Sequence, residues 1–171
     1  WRDRHPEFFT LAQRKLANIA APRILSYGCS TGEEVFTLAR YIPHARIDGL
    51  DINPRSIGIA QRAVEAGDVD RIHFACASAP PERVATYDAI FCLSVLRHGR
   101  LDHEQIEDCS HILPFSRFAE VIEALDRTLK PGGLLFLWGS NFRFADTETA
   151  KNYSHIPTPD KPAQPGLFYG P

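Results

Sequence analysis

Apolar residues recur along this chain at two alternating spacings. Behind Pro6, the residues Phe8, Leu11/Ala12, Leu16 and Ile19 return at three- and four-residue steps, which predicts a proline-opened helix with those side chains on its buried face. The short run Arg23-Ile24-Leu25-Ser26-Tyr27 then reads as a strand and stops at Gly28-Cys29-Ser30-Thr31-Gly32. A helix is expected over 33–41 and a second strand over 47–51. Asn53-Pro54 is a helix start, with Asn as cap and Pro in the first turn, and Ile57, Ala60 and Val64 face inward behind it. A third strand over 71–77 leads into a Pro-Pro loop. The fourth, over 88–93, is almost wholly apolar, as a strand covered on both faces would be. Phe118, Ile122, Leu125 and Leu129 mark another amphipathic helix, which Lys130-Pro131-Gly132-Gly133 ends before a fifth strand over 134–138.

Strand and helix alternate throughout, so the expected fold class is α/β, with a doubly wound, mostly parallel sheet and right-handed crossovers. From about Asn141 the texture changes. Pro157, Pro159, Pro162, Pro165 and Pro171 crowd the tail, and its only apolar cluster is Leu167-Phe168-Tyr169. Residues 1–142 therefore read as one domain, and 143–171 as a proline-rich extension of it, packed on it or truncated, with at most one short strand.

Length and composition narrow the classes. At 171 residues with 44% hydrophobic and 23% charged, the chain can bury a full core without disulfides or metal. No run of about 18 apolar residues is present, and no signal peptide is visible, which points away from a membrane and to the cytoplasm. The chain begins at Trp1 and contains no Met, so a fragment of a longer protein is expected. A net charge of −2 without like-charge blocks offers no basic field for nucleic acid. Cys29, Cys76, Cys92 and Cys109 form no CxxC pair and read as reduced thiols.

In such sheets ligands bind at the carboxyl ends of the strands, so the loop after the first strand is where chemistry is expected. Three loop chemistries compete there. A phosphate loop requires a Gly-Lys-Ser/Thr ending, and no such Lys is present. A dinucleotide loop requires G-x-G-x-x-G, whereas this one is G-x-x-x-G with Ser30 at the middle position. The third is the loop that binds S-adenosylmethionine (SAM) in class I methyltransferases. Gly28 supplies a turn with positive φ, Gly32 leaves the helix start open, and Cys29 and Ser30 are small. SAM has no phosphate, so no Lys is needed, and Glu33 and Glu34 suit an ammonium better than a pyrophosphate. Asp51 closes the second strand nineteen residues beyond Gly32, where a carboxylate can accept ribose hydroxyls. Asn53 is the better helix cap, which leaves Asp51 for a ligand.

These residues resemble a family. Ser26-Tyr27-Gly28-Cys29-Ser30-Thr31-Gly32-Glu33-Glu34 resembles the first motif of CheR-type chemotaxis methyltransferases, which methylate receptor glutamates with SAM. Asp88-Ala89-Ile90-Phe91-Cys92 is similar to their D-A-I-F-C-R-N-V strand, Leu129–Leu137 to their L-K-P-G-G turn and fifth strand, and Gly139-Ser140-Asn141-Phe142 to their G-H-S-E-N-F segment. Trp1-Arg2-Asp3 is similar to the end of an F-F-R-D motif. The resemblance implies a Rossmann-like sheet with strand order 3-2-1-4-5 and SAM contacts at Arg2, Gly28, Cys29, Ser30, Gly32, Glu34, Asp51 and Ile52. It further implies adenine-side contacts near Ala77 and Ser78, and contacts at Leu93 and Ser94. The product would be S-adenosylhomocysteine (SAH).

The sequence also departs from the family. Its Arg-Asn pair becomes Leu93-Ser94, and its N-V-x-x-Y pattern becomes Ser94-Val95-Leu96-Arg97-His98. Between Asp51 and Phe74 there is room for one helix only, so no receptor-tethering subdomain is present there. The expected acceptor is a carboxylate or hydroxyl on a small molecule or protein. A hydroxyl needs a base, for which His98 is the candidate, and a carboxylate needs none. His98, His103, Asp108, Cys109 and His111 match no common metal spacing, and no metal is assigned. Two other readings stand beside the enzyme: a SAM-binding sensor without turnover, and a nicotinamide oxidoreductase on a similar sheet.

Overall fold

A computed structural model of the chain describes residues 4–98 and 110–157. Five strands form one sheet: β1 (Arg23–Tyr27), β2 (Arg46–Asp51), β3 (Ile72–Cys76), β4 (Tyr87–Leu93) and β5 (Leu129–Trp138). Their order is β3-β2-β1-β4-β5, and every neighbouring pair is parallel. The described α-helices are α1 (Pro6–Leu16), α2 (Glu33–Tyr41), α3 (Pro54–Arg62) and α4 (Phe115–Thr128).

The period of two in the strands divides the core. Ile24, Ile47, Phe74, Ala89, Phe91 and Phe136 face one side and pack under α1, α2 and α3. Leu25, Leu50, Ile90 and Cys92 face the other and pack under α4 through Phe118, Ile122 and Leu125. Strand β4 is buried along its whole length, as its apolar run predicts. On the first face the rings of Phe91 and Phe136 stack at 4.3 Å, with Phe9 and Phe8 of α1 against them at 5.7 and 5.8 Å. These contacts hold α1 over β4 and β5, with its N-terminus beside the carboxyl ends of both strands.

Several boundaries shift. Helix α1 stops at Leu16, leaving Ile19, expected on its buried face, at the surface. The Lys-Pro-Gly-Gly segment does not separate α4 from β5. Tyr87 pairs with Leu129 and Ala89 with Leu134, so one residue of β4 faces four of β5, and residues 130–133 bulge from the ladder. Gly132 takes φ +75° there, and Lys130 reaches back to both oxygens of the buried Asp88 at 2.8 and 2.9 Å. Asp88 also accepts the Arg23 N–H at 2.8 Å, which ties β1, β4 and β5 together at their amino ends.

The described tail holds two short 3-10 helices, Phe144–Asp146 and Glu148–Asn152, and no strand. Tyr153 fastens it to α4 by donating to Asp126 at 2.6 Å and packing against Phe144. Leu167-Phe168-Tyr169 lies outside the described residues. Among those described, no helix is long and apolar enough to cross a membrane.

Candidate functional site

The site is built on the turn from β1 to α2. Gly28 takes φ +77° and Gly32 φ +92°, and between them Ser30 is held at φ +50°, a conformation most side chains avoid. Leu50 pins the loop, its carbonyl accepting the N–H groups of Gly28 and Cys29 at 2.7 and 2.9 Å. Asp51 pins it a second time. One carboxylate oxygen accepts the Ser30 N–H and the other the Asn53 N–H, each at 2.8 Å. Asn53 caps α3, its oxygen accepting from Arg55 at 3.0 Å and Ser56 at 3.4 Å. A carboxylate offers about four lone-pair sites, so Asp51 can hold the loop and still accept ligand hydroxyls.

Two clefts meet at Gly28. The first, about 300 Å³, is lined by Arg4, His5, Phe9, Gly28, Cys29, Ser30, Glu33, Glu34, Thr37 and Leu93. The second, about 240 Å³, is lined by Tyr27, Gly28, Leu50, Asp51, Ile52, Ala77, Ser94 and Val95. Glycine is obligatory where they join, because a Cβ at Gly28 would lie 2.3 Å from Val95 Cγ2.

Glu34 sets the electrostatics of the first cleft. Burial pushes its carboxyl up to about 7, opposed by the Ser26 hydroxyl, which donates to it at 2.7 Å, and by nearby Arg4. A carboxyl held near neutrality in a cleft is a mark of ligand chemistry. Burial also pushes the Cys29 thiol up to about 12, with the carboxylates of Asp51 and Glu34 adding to it, so this thiol is inert. Cys29 therefore serves the loop through its backbone.

Of the expected site residues, Gly28, Cys29, Ser30, Glu34 and Leu93 meet in the first cleft, and Asp51, Ile52, Ala77 and Ser94 in the second. Ile52 is 71% exposed, an apolar side chain open to a flat ligand face. Ser94 takes φ +61° and donates its N–H to the Trp138 carbonyl at 2.7 Å. Gly32 lines neither cleft. A Cβ there would strike the rings of Phe36 and Phe74 at 2.9 Å, so its bareness serves core packing and not an open helix start. Ser78 also stands outside both walls, its carbonyl accepting from the Tyr27 hydroxyl at 2.7 Å. His98 lines neither cleft; its N–H donates to the side-chain oxygen of buried Asn141 at 3.3 Å.

Arg2, His103, Asp108 and Cys109 lie outside the described residues. Among those described, no group of three or more His, Cys, Asp or Glu gathers for a metal, and His111 is exposed. Sequence reasoning missed Arg4, His5, Phe9 and Thr37. The apolar face of α1 was the available signal, since seating Phe8 and Phe9 on β4 and β5 brings the residues before Pro6 to the strand ends.

The donor set fits SAM. Two carboxylates flank Gly28, Glu34 on one side and Asp51 on the other, and α2 opens on Glu33 and Glu34, which would repel a pyrophosphate.

Comparison with known proteins agrees. A family model described as a methyltransferase domain matches residues 25–135. An uncharacterized protein of Synechococcus is 32% identical over 145 residues, covering 81% of this chain and 30% of its own length. A probable biofilm formation methyltransferase, WspC of Pseudomonas putida, is 29% identical over 182 aligned positions, covering 80% of this chain and 40% of its own. The chain thus spans about a third of the length of these relatives. In fold, it superposes on the plantazolicin methyltransferase BpumL, solved with SAH, with a TM-score of 0.54 at 16% identity, covering 88% of this chain and 52% of that one. With the family model matching well over half of the chain and the sheet order that of the fold, the chain belongs to the methyltransferase-domain family, as a class I domain of the SAM-dependent kind.

Proposed function

We propose that this domain transfers the methyl group of SAM to an oxygen acceptor, a carboxylate or hydroxyl on a small molecule or protein, in the manner of the CheR-type enzymes it resembles. The observation that carries this reading is the placement of Glu34 and Asp51 on opposite sides of Gly28, one in each cleft. Asp51 takes the ribose hydroxyls, and Ile52 and Ala77 cover the adenine, with Ser78 beside them. Backbone at Gly28, Cys29 and Ser30 lies under the methionine chain. Glu34 receives the ammonium, and Arg4 lies in the same cleft for the carboxylate, beside the contact that the resemblance implies for Arg2. Leu93 and Ser94 close the floor between the clefts.

SAM, when bound, supplies a methyl carbon on a positively charged sulfur that departs as a neutral thioether. The protein's part is alignment, since an acceptor atom held about 3–3.5 Å from that carbon gains most of the attainable acceleration. Glu34 and Arg4 fix one end of the donor and Asp51 the other, so the reacting centre falls near Gly28 and Leu93. The net charge of −2 argues against a nucleic-acid acceptor, and the reduced-thiol reading of the cysteines suits a cytoplasmic protein.

Calorimetry with SAH and SAM tests the cofactor before any acceptor is known. Both should bind, and Asp51→Ala should weaken both. Wild-type affinity retained in Asp51→Ala would remove the ribose assignment. A second reading, a SAM-binding sensor without turnover, is favoured by Leu93-Ser94 standing where the resembled family has Arg-Asn. Methyl transfer from labelled SAM to carboxylate and hydroxyl acceptors distinguishes the two, because a sensor binds without consuming the label.

A further inference from the structure

We propose that the Thr37 hydroxyl donates to the carboxylate of the cofactor's methionine end, so that the first cleft selects an intact amino-acid tail over a decarboxylated one. This inference rests on the reading of the paired clefts as the SAM site. Thr37 lies midway along α2, one helical turn beyond Glu33 and three residues beyond Glu34, and all three line the first cleft. Arg4 lines the same cleft from the segment before α1.

The hydroxyl is short of one partner. Thr37 is 4% exposed, and its oxygen accepts from the Arg40 guanidinium at 3.1 Å. A threonine inside a helix can return its proton to the carbonyl four residues earlier. Here it does not, and among the described residues that proton has no acceptor. Buried hydroxyls are seldom left this way, and the cleft is the side from which an acceptor can arrive. The charged donor on the oxygen also polarises the O–H toward donation.

The missing partner must accept a hydrogen bond. An ammonium only donates, and Glu34 is there to receive it. The ribose hydroxyls are held at Asp51 in the other cleft. The carboxylate remains, with Arg4 supplying positive charge and Thr37 a neutral donor. The plain alternative is packing between α1 and α2, where Phe9 and Tyr41 meet at 5.6 Å. Valine has the same shape and would spare the helix an unpaired donor, so packing alone does not call for threonine. A ligand without the carboxylate would leave that donor unanswered, which is how a polar site rejects an analogue.

The test needs no methyl acceptor. Calorimetry compares SAH with SAH whose carboxylate is replaced by hydrogen, on the wild-type chain, Thr37→Val and Thr37→Ser. Thr37→Val should weaken SAH about 10–100-fold, as expected for a lost hydrogen bond to a charged group, and leave the decarboxylated ligand within about twofold. Thr37→Ser keeps the hydroxyl and should bind SAH nearly as the wild type does. SAH labelled with 13C at the carboxyl reads the contact directly: its NMR signal should differ between the wild-type and valine complexes and agree between wild type and serine. Thr37→Ala gives the same comparison should the valine variant not fold. Unchanged SAH affinity, equal weakening of both ligands, no recovery with serine, or an unmoved carboxyl signal overturns the inference while leaving the cofactor site intact. If SAH does not bind the wild-type chain, the underlying reading falls instead.

Discussion

Adding one methyl group at Gly28 should be far more damaging than adding it at Gly132, although the two backbones are nearly alike. Gly28 has φ +77° and Gly132 φ +75°, so alanine pays a similar left-handed penalty at each, about 1–2 kcal/mol. The reduction in unfolded-chain entropy is also common to both and cancels. The surroundings differ. Nothing lies within 4 Å of a Cβ at Gly132, whereas at Gly28 it would lie 2.3 and 2.8 Å from the two γ-carbons of Val95. Forcing an extra methyl into packed space costs about 1–3 kcal/mol. Gly132→Ala should thus lose about 1–2 kcal/mol and Gly28→Ala about 2–5 kcal/mol. Urea unfolding followed by circular dichroism measures both. Val95→Ala removes both γ-carbons and leaves Cβ at 3.1 Å, so Gly28→Ala combined with Val95→Ala should cost less than the two single changes summed, by about 1–3 kcal/mol. Equal losses at Gly28 and Gly132, or additive behaviour of the pair, would refute the claim that the β4 loop presses on the glycine turn.

Three further outcomes are expected. Glu34 is raised from 4.5 to about 7, so ionising it costs the folded chain more than the unfolded one. Without ligand, the wild type should therefore lose stability relative to Glu34→Gln as pH rises from about 4.5 to about 7, and Glu34→Gln should weaken SAH binding at pH 8; a difference between the two proteins that stays constant with pH in urea titrations would contradict it. Asp88→Ala should destabilise the fold by about 2–4 kcal/mol, since it strands Lys130 and the Arg23 N–H, with SAH affinity little changed because the cluster lies at the far end of the strands. His98→Ala should leave SAH affinity and methyl transfer intact, given its place outside both clefts; binding retained with transfer lost would return it to the role of base.

What could be read from the chain was whatever local rules govern. Strand 23–27 and helix 33–41 coincide with β1 and α2, because a glycine turn closes one and opens the other. Asn53-Pro54 marked α3, and Asp51 was separable from it because only one of two nearby side chains can cap. The sheet order came with the resemblance, since no local rule ranks strands. Tertiary effects stayed hidden. Nothing in the sequence around Gly32 announces Phe74 from β3 beneath it, and nothing near Lys130 announces Asp88 as the anchor that draws the bulge tight. Arg4 and His5 escaped notice because α1 delivers them across the sheet, and contacts between distant segments leave no periodicity. The start of α4 at Phe115, and not nearer Phe118, lacks a side-chain cap that would have flagged it.

The four-residue bulge of β5 offers a practical handle. It projects at the amino ends of the strands, away from the turn at Gly28, and its apex at Gly132 has open space around it. A fluorophore-bearing or peptide insertion after Gly132, with Lys130 retained, would decorate the domain without disturbing nucleoside capture. The same spot would suit tethering to a sensor surface with the mouth of the pocket turned outward.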